Sequence, residues 1–163
     1  MEYIKIGYIS GTHGLKGEIK IKSNFPYKGQ IFKVGNNIYL NEDKVSKTIN
    51  SYRSHKDFDM VFINDISSIE DALSLKGQDV YILKELITLK ENEYLNEDLL
   101  GMEVYFENDF IGTVSQVEDL GLGNEIMEII GKNRCLIPKN SHFIANVDMK
   151  FRKMTLKNVE GMV

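Results

Sequence analysis

The residues best suited to chemistry form a glycine-rich run at positions 10–17, which contains three glycines and His13. A phosphate-binding P-loop needs Lys and then Ser or Thr after its last glycine, followed by a helix whose N-terminus binds the anion. Here Glu18 follows Gly17 and the pattern continues as a strand. A dinucleotide-binding fingerprint fails for the same lack of a helix. We interpret these glycines as tight-turn residues with positive φ, which leaves the surface of the loop available for a partner.

The histidines and the single cysteine do not form a recognisable catalytic or metal site. His13, His55 and His142 are far apart in the sequence, and Cys135 has no Cys-x-x-Cys neighbour, so a zinc site is not expected. As a general base His13 would need a nucleophile and an orienting carboxylate, and a loop histidine that bonds the backbone is the simpler interpretation. Cys135 lies in an apolar run, where free cysteine acts as a small hydrophobic residue. We therefore expect no cofactor, no metal and no enzymatic activity.

Lysines near the N-terminus are the other candidate binding groups. The formal net charge is −4, which argues mildly against a general nucleic-acid binder. Residues 1–33 nevertheless carry six lysines against two glutamates, and the chain is acidic from residue 89 onward. Lys16, Lys20 and Lys22 could contact RNA phosphates, and such contacts would make the affinity depend on salt. A genome biased toward Lys, Asn and Ile would produce the same excess without a functional patch, and both explanations stay open.

Alternation of apolar and polar residues predicts strands through most of the first half. Residues 3–9 and 18–22 alternate with period two. Residues 31–34 and 38–40 flank Gly35-Asn36-Asn37, which predicts a hairpin. Further strands are predicted at 44–53, 60–63 and 80–83. One short helix is expected after Ser67, because Ser67 and Glu70 have capping-box spacing and Gly77 supplies a stop.

The second half continues as strands after a polar, acidic segment. We place a domain boundary near residue 90, which gives domains at 1–89 and 90–163. Strands are predicted at 102–106, 110–117, 125–130, 134–137, 142–147 and 153–156. Short strands at near-regular spacing predict a small barrel or sandwich. No apolar run approaches the roughly 18 residues of a membrane span, and one cysteine with no secretory start fits the cytoplasm.

Tyr94 stands in the polar segment that joins the two halves, between Glu93 and Leu95. Tyrosine is enriched in binding hot spots because it offers a rigid apolar area with a polar tip. Tyr94 and Leu95 could equally anchor the linker to the second domain. The sequence does not decide between a partner contact and an anchor.

Motifs along nearly the whole chain resemble the RimM family of bacterial ribosome maturation factors. The opening signature is the run from Ile6-Gly7 to Gly11-Thr12-His13-Gly14-Leu15-Lys16-Gly17-Glu18-Ile19. The capped helix is similar in Glu70, Ala72, Leu73 and Gly77. Later landmarks are Glu93-Tyr94, Asp98-Leu99-Leu100-Gly101, Gly112-Thr113-Val114, Asn124-Glu125, Leu136-Ile137-Pro138 and Glu160-Gly161. Two departures stand out, since Leu95 replaces the second tyrosine of a paired Tyr-Tyr and Val159 replaces a proline.

The resemblance implies an all-β protein with an N-terminal β-barrel like those of translation factors and a C-terminal PRC barrel. It implies an assembly chaperone for late maturation of the 30S head, needed for efficient 16S rRNA processing. Such a factor binds free 30S subunits, and not mature 70S ribosomes, with the PRC barrel contacting the small-subunit protein S-nineteen. We expect a monomer that does not bind membranes.

The resemblance, together with the charge and aromatic character of the residues, selects candidate binding residues in both halves. Candidates for contact with the ribosomal protein or the 30S subunit are Tyr94, Leu95 and Asp98. Candidates for contact with rRNA or the 30S subunit are Thr12, His13, Gly14, Leu15, Lys16, Gly17, Lys20 and Lys22. Two rival functions remain, an RNA-processing enzyme that uses His13 and a generic barrel adaptor for another partner. The N-terminal signature argues against the adaptor.

Overall fold

Two compact units make up the chain in the computed structural model, which describes residues 1–121 and 123–163. The units are Met1–Thr88 and Leu89–Val163, and both consist mainly of β-strands. The predicted all-β class is confirmed. No helix among the described residues is long and apolar enough to cross a membrane.

The first unit is a closed six-stranded barrel. Its strands are β1 (Tyr3–His13), β2 (Glu18–Lys22), β3 (Asn37–Leu40), β4 (Val45–His55), β5 (Phe58–Ile63) and β6 (Asp79–Leu83). They pair antiparallel in the order β1-β2-β5-β4-β3-β6, and β6 closes the barrel on β1. Closure leaves no open edge for unwanted pairing. Period-two alternation explains the core, since Ile19 and Ile21 of β2 are fully buried.

Two short helices and a 3₁₀ turn complete the first unit. They are α1 (Lys28–Ile31), α2 (Ile69–Leu73) and the turn Lys84–Leu86. Only α2 was expected. The strand predicted at 31–34 is wrong, because Ile31 ends a helical turn in which the backbone N–H of Phe32 donates to the carbonyl of Lys28 at 3.0 Å. The side-chain amide of Asn36 donates to the carbonyls of Gln30 and Ile31, at 3.2 and 2.9 Å, and stabilises the α1 turn instead.

The start of α2 lies one residue later than the predicted capping box. Ser68 is extended, with φ −134° and ψ 157°, and its Oγ accepts the N–H of Asp71 at 3.2 Å. The Ser-x-x-acid spacing occurs twice in succession, so the pattern could not choose between Ser67 and Ser68. The backbone N–H of Ile69 donates to the carbonyl of Leu15 at 3.1 Å, which fixes the first helical residue against the β1–β2 turn.

The second unit is a six-stranded sheet preceded by one helical turn. Its elements are α3 (Asn96–Leu99), β7 (Glu103–Phe106), β8 (Asp109–Asp119), β9 (Glu125–Gly131), β10 (Arg134–Pro138), β11 (Ile144–Asp148) and β12 (Lys153–Leu156). The strand order is β10-β9-β8-β7-β12-β11, with β12 parallel to β7 and the other pairs antiparallel. All six predicted strands are present. Leu99, Met102 and Met154 are fully buried in the core of this unit.

Candidate functional site

The β1–β2 hairpin sets the direction of the candidate lysines. Lys20 lies opposite Gly11 and His13 lies opposite Glu18 in the antiparallel register. Residues directly opposite one another share a face of the sheet, and successive residues of a strand alternate between faces. Glu18, Lys20 and Lys22 therefore lie on the same face of β2 as His13 of β1.

Strands β5 and β4 extend this face with residues that the sequence analysis did not select. Met60 of β5 lies opposite both Lys20 of β2 and Arg53 of β4. His55 lies opposite Phe58 at the end of the β4–β5 hairpin. We name this surface the cationic face. It consists of His13, Glu18, Lys20, Lys22, Arg53, His55 and Phe58, which lie around the fully buried Met60.

Lys20 and Lys22 converge on one aromatic ring. Their ammonium nitrogens lie 4.5 and 5.6 Å from the centre of the Phe58 ring. No carboxylate of the described residues lies within ion-pair distance of either lysine, although Lys5 pairs with Asp79 at 3.1 Å and Lys28 with Asp59 at 2.8 Å. Their positive charge is thus left unneutralised, and the geometry suits an anionic ligand with an aromatic or apolar part.

The acidic residue on the face, Glu18, is neutralised by Arg53. Arg53 donates from Nε and Nη2 to the two carboxylate oxygens of Glu18, at 2.9 and 2.7 Å. Glu18 is only 6% exposed. Hydrogen bonding and charge from Arg53 hold the pKa of Glu18 below its ordinary value, against the opposing effect of burial. The carboxylate therefore stays ionised but paired.

Two histidines flank this ion pair. The rings of His13 and His55 lie 6.3 Å apart, centre to centre, and both add to the field that lowers the pKa of Glu18. Because both oxygens of Glu18 accept from Arg53, this carboxylate is already committed to another partner. It does not serve as the orienting group that a catalytic His13 would need.

The turn at 14–17 is held in place by its contact with α2. Gly14 and Gly17 have φ of +78° and +81°, as predicted, whereas Gly11 lies in β1 without positive φ, so that part of the prediction was wrong. A Cβ on Gly17 would lie 2.4 Å from the carbonyl oxygen of Ser68, but nothing lies within 4 Å of one on Gly14. Gly17 therefore allows the close approach, and Leu15 at the tip is 82% exposed.

The other predicted residues of the N-terminal signature are distributed along the hairpin. Thr12 and His13 belong to strand β1 and not to a loop. Thr12 lies opposite the fully buried Ile19 and so shares the core-facing side of the sheet. Lys16 is exposed in the turn. At about 3.3 Å per strand residue, Lys16 lies roughly 20 Å along the chain from Lys22, so only Lys20 and Lys22 come together.

In the second unit, Tyr94 and Leu95 lead into α3. Tyr94 is partly buried and packs against the core of this unit, and Leu95 is 4% exposed. Lys139 holds the segment, because its ammonium donates to the Tyr94 carbonyl at 3.3 Å and to Oδ1 of Asn96 at 2.5 Å. The same ammonium pairs with Glu125 at 3.3 Å. The geometry gives Leu95 an anchoring position, with Tyr94 as the more accessible residue.

A pocket of about 290 Å³ lies beside Tyr94, between the end of β10 and the edge strand β11. Its wall includes Tyr94, Lys139, Ile144, Val147 and Lys157. Edge strands offer unpaired backbone groups to a partner chain. Asp98, the remaining candidate, is partly buried in α3 and its backbone carbonyl accepts from the guanidinium of Arg152. The pocket and the edge are suited to contact with a protein.

Sequence reasoning missed Arg53, His55 and Phe58, and gave Glu18 no role. Arg53 and Glu18 are separated by 35 residues, and their contact depends on the register of three strands. The alternation of Glu18, Lys20 and Lys22 was the only available signal. It indicates that these three residues share a face of β2, but not which residues of other strands lie beside them.

Comparisons with known proteins cover both units. The model of the RimM N-terminal domain matches residues 4–87, and the model of the RimM PRC barrel domain matches residues 96–162. Two curated relatives are both named ribosome maturation factor RimM. The one from Exiguobacterium sibiricum is 32% identical and covers 100% of this chain and 99% of its own length. The one from Staphylococcus aureus is 33% identical and covers 98% of each.

Two solved structures are also similar. One is a crystal structure of a 16S ribosomal RNA processing protein RimM from Pseudomonas aeruginosa, at 18% identity and a TM-score of 0.47. That likeness covers 96% of this chain and 97% of the other. The second is a solution structure of the N-terminal domain of RimM from Thermus thermophilus, at 18% identity and a TM-score of 0.47, covering 55% of this chain and 98% of that one.

Proposed function

We propose, from the premise that this chain belongs to the RimM family, that it is a ribosome maturation factor acting in the cytoplasm by binding rather than catalysis. In its finer form the proposal is a monomeric assembly chaperone for the head of the 30S subunit. It binds free 30S subunits in preference to mature 70S ribosomes and promotes 16S rRNA processing. The first unit contacts rRNA, and the second, a PRC barrel, contacts ribosomal protein S-nineteen.

The observation that carries the proposal is the unneutralised charge on the cationic face. Phosphate contacts dominate the affinity of proteins for RNA and DNA, and aromatic rings next to cations favour single-stranded nucleic acid. Lys20 and Lys22 converge on Phe58, while the Glu18 carboxylate beside them is neutralised by Arg53. RNA approaching this face meets net positive charge, although the whole chain is acidic.

The second unit carries more acidic than basic side chains, which favours a basic protein as its partner. Acidic side chains occur at Glu97, Asp98, Glu107 and Asp109, and complementary charge steers and orients encounter. The pocket beside Tyr94 offers an aromatic wall next to an open strand edge. We assign the partner contact to Tyr94 and to the backbone near β11, and an anchoring role to the buried Leu95.

Binding alone is sufficient for such a factor. A protein that binds one arrangement of rRNA and ribosomal protein more tightly than another shifts the population toward the first. Release follows when the mature arrangement no longer offers the same contacts. This mechanism requires no nucleophile, and His13 keeps a place among the binding residues of the cationic face.

The test is co-sedimentation with free 30S subunits and with 70S ribosomes across a salt series. We expect the parent protein to bind 30S and not 70S. Replacing Lys16, Lys20 and Lys22 with glutamine should weaken binding. It should also reduce the slope of log affinity against log salt concentration by up to about two to three, since each of the three lost phosphate contacts removes roughly 0.7–0.9.

The matched control replaces three lysines of the same unit that lie outside the face, Lys5, Lys33 and Lys76. It removes the same charge and should retain more of the affinity and the steeper slope. Equal losses in both variants would show that net charge, not the face, governs binding. No binding of the parent to 30S subunits, or equal binding to 30S and 70S, would overturn the proposed function itself.

A further inference from the structure

A second feature of the first unit lies beside the cationic face. A pocket of about 350 Å³ opens between the end of β2, the start of α1 and the β4–β5 hairpin. We name it the Phe58 pocket. Its wall includes Lys22, Lys28, Tyr52, Lys56, Phe58 and Asp59. Ligand pockets usually measure about 300–1,000 Å³, so this one has room for a single small unit and not for a helical duplex.

The floor of the pocket is an acidic residue that has already been neutralised. Asp59 is 2% exposed, its Oδ1 accepts from the Tyr52 hydroxyl at 2.7 Å, and its Oδ2 pairs with Lys28 at 2.8 Å. Burial, followed by the hydrogen bond to Asp59, raises the pKa of Tyr52 to about 12, so Tyr52 stays a neutral donor. The buried carboxylate thus stabilises the pocket without presenting a free negative charge.

The rim carries the charge that can act on a ligand. Lys22 and Lys56 line it and have no carboxylate partner among the described residues, and Asp57 in the same hairpin is the one exposed acid there. Phe58 gives the pocket an aromatic wall, 5.6 Å from the Lys22 ammonium, and Lys56 lines the same pocket. Flat aromatic surface beside positive charge matches a nucleotide, which pairs a π-face with a phosphate.

Lys20 and Lys22 cover the Phe58 ring in the free protein, and a base can replace them. A nucleobase stacked on an aromatic side chain is bound more strongly than an exposed ammonium group over the same ring. A lysine ammonium on its flexible stem can also move from the ring to a phosphate. Exchange of cation for base therefore gains stacking and a charge contact together.

We propose that the Phe58 pocket binds one unstacked nucleotide of single-stranded RNA. The base stacks on Phe58, and the adjoining phosphate is bound by Lys22 and Lys56. The inference rests on the proposed function, since it names the form of RNA that the cationic face recognises. It selects a loop, bulge or chain end, because a paired base inside a duplex cannot enter a pocket of this size.

The experiment measures binding of the full chain, by fluorescence anisotropy at low salt, to a labelled oligouridylate and to an RNA duplex. The oligouridylate is about eight nucleotides long, within the site sizes of single-strand-binding modules. Phe58→Leu should weaken binding to the oligouridylate between roughly fivefold and 150-fold, the range set by the loss of one stacked base. Its binding to the duplex should stay that of the parent.

Two further variants separate the contributions. Phe151→Leu removes a ring that is 64% exposed in the second unit and should bind both RNAs as the parent does. Lys22→Gln combined with Lys56→Gln keeps the ring and should lower the salt slope for the oligouridylate by about 0.7, the contribution of the one phosphate that the two lysines bind. This double variant also tests the pocket if Phe58→Leu fails to fold.

Three results would overturn the inference: no binding of the parent to the oligouridylate, equal binding by Phe58→Leu and parent, or an equal loss on the duplex. A protein that still sediments with 30S subunits in any of these cases retains the proposed function. Failure of the parent to bind 30S subunits would instead remove the premise, whatever the oligouridylate result.

Discussion

Replacing Glu18 with glutamine tests the ion pair that organises the cationic face. The carboxylate side chain is 8% exposed and accepts two hydrogen bonds from Arg53, at 2.7 and 2.9 Å. Glutamine keeps the shape and one acceptor oxygen but removes the charge. Hydrogen bonds to charged groups contribute about 1.5–3 kcal/mol, and the 46% exposed side chain of Arg53 can regain water. We therefore expect a loss of about 2 kcal/mol in the free energy of unfolding of the first unit at pH 7.

The effect should depend on pH in a defined direction. The pKa of Glu18 is lowered in the folded protein, so the pair contributes stability above the unfolded pKa of about 4.3. That contribution is lost as the pH falls through the lowered folded pKa, where the unfolded chain binds more protons. The glutamine variant has no such group. The difference in the free energy of unfolding between parent and variant should therefore be largest at pH 6–7 and become smaller below about pH 4.3.

Native-state hydrogen exchange of the amides of β2 is the suitable assay, because it reports the opening free energy of the first unit within the whole chain. Arg53→Gln is the informative companion, since it leaves the buried Glu18 carboxylate without its partner. It should destabilise the unit more than Glu18→Gln at neutral pH, and its defect should diminish in acid as the carboxyl is protonated. A loss below about 0.5 kcal/mol for Glu18→Gln at pH 7 would refute the reasoning, because exposed ion pairs contribute that little.

Two other predictions concern positions that hold the candidate segments in place. Gly17→Ala should lower the free energy of unfolding by about 3 kcal/mol, because positive φ costs about 1 kcal/mol and contact with the Ser68 carbonyl adds about 2. Gly14→Ala, with open space around its Cβ, should lower it by about 1 kcal/mol. Equal losses for the two variants in urea unfolding would contradict the close approach of Gly17 to Ser68. Lys139→Met should lower the free energy of unfolding by about 2 kcal/mol, because it leaves the mostly buried Glu125 carboxylate without its cationic partner. It should also speed hydrogen exchange of the amides around residue 94. Adding Glu125→Gln should recover part of that loss, and an unchanged exchange rate in Lys139→Met would remove Lys139 as the clamp.

Local patterns predicted the features that depend on neighbouring residues. Period two correctly placed Lys20 and Lys22 on one face of β2, because alternation in a strand needs no knowledge of partners. The positive φ of Gly14 and Gly17 followed from the turn chemistry. The strand predicted at 31–34 was wrong because the Asn36 side chain stabilises the α1 turn, a contact that the spacing of apolar residues does not reveal.

Contacts between strands that are distant in the sequence could not be predicted from local patterns. Phe58 comes to Lys20 through the β2–β5 register, in which Lys20 lies opposite Met60. Arg53 reaches Glu18 across the intervening strand. A shift of one residue in either register would turn every side chain of the strand to the other face. The candidate lysines could therefore be named from sequence, but the aromatic platform and the neutralised acid required the fold.

The small number of unpaired cations on the face limits how the protein can hold its target. Each phosphate contact contributes roughly 0.7–0.9 to the salt slope, and proteins that make 6–10 such contacts lose about 10³–10⁵ in affinity between 50 and 200 mM salt. Two or three lysines contribute far less to the affinity for RNA. The net charge of −4 also repels RNA elsewhere on the chain. Under the proposed function, the RNA contact must then act together with the protein contact of the second unit, because two linked weak sites reinforce each other through effective concentration. Loss of either contact is sufficient for release, so glutamine at Lys20 and Lys22 and alanine at Tyr94 should each reduce 30S co-sedimentation sharply, and the combination should add little beyond the stronger single effect.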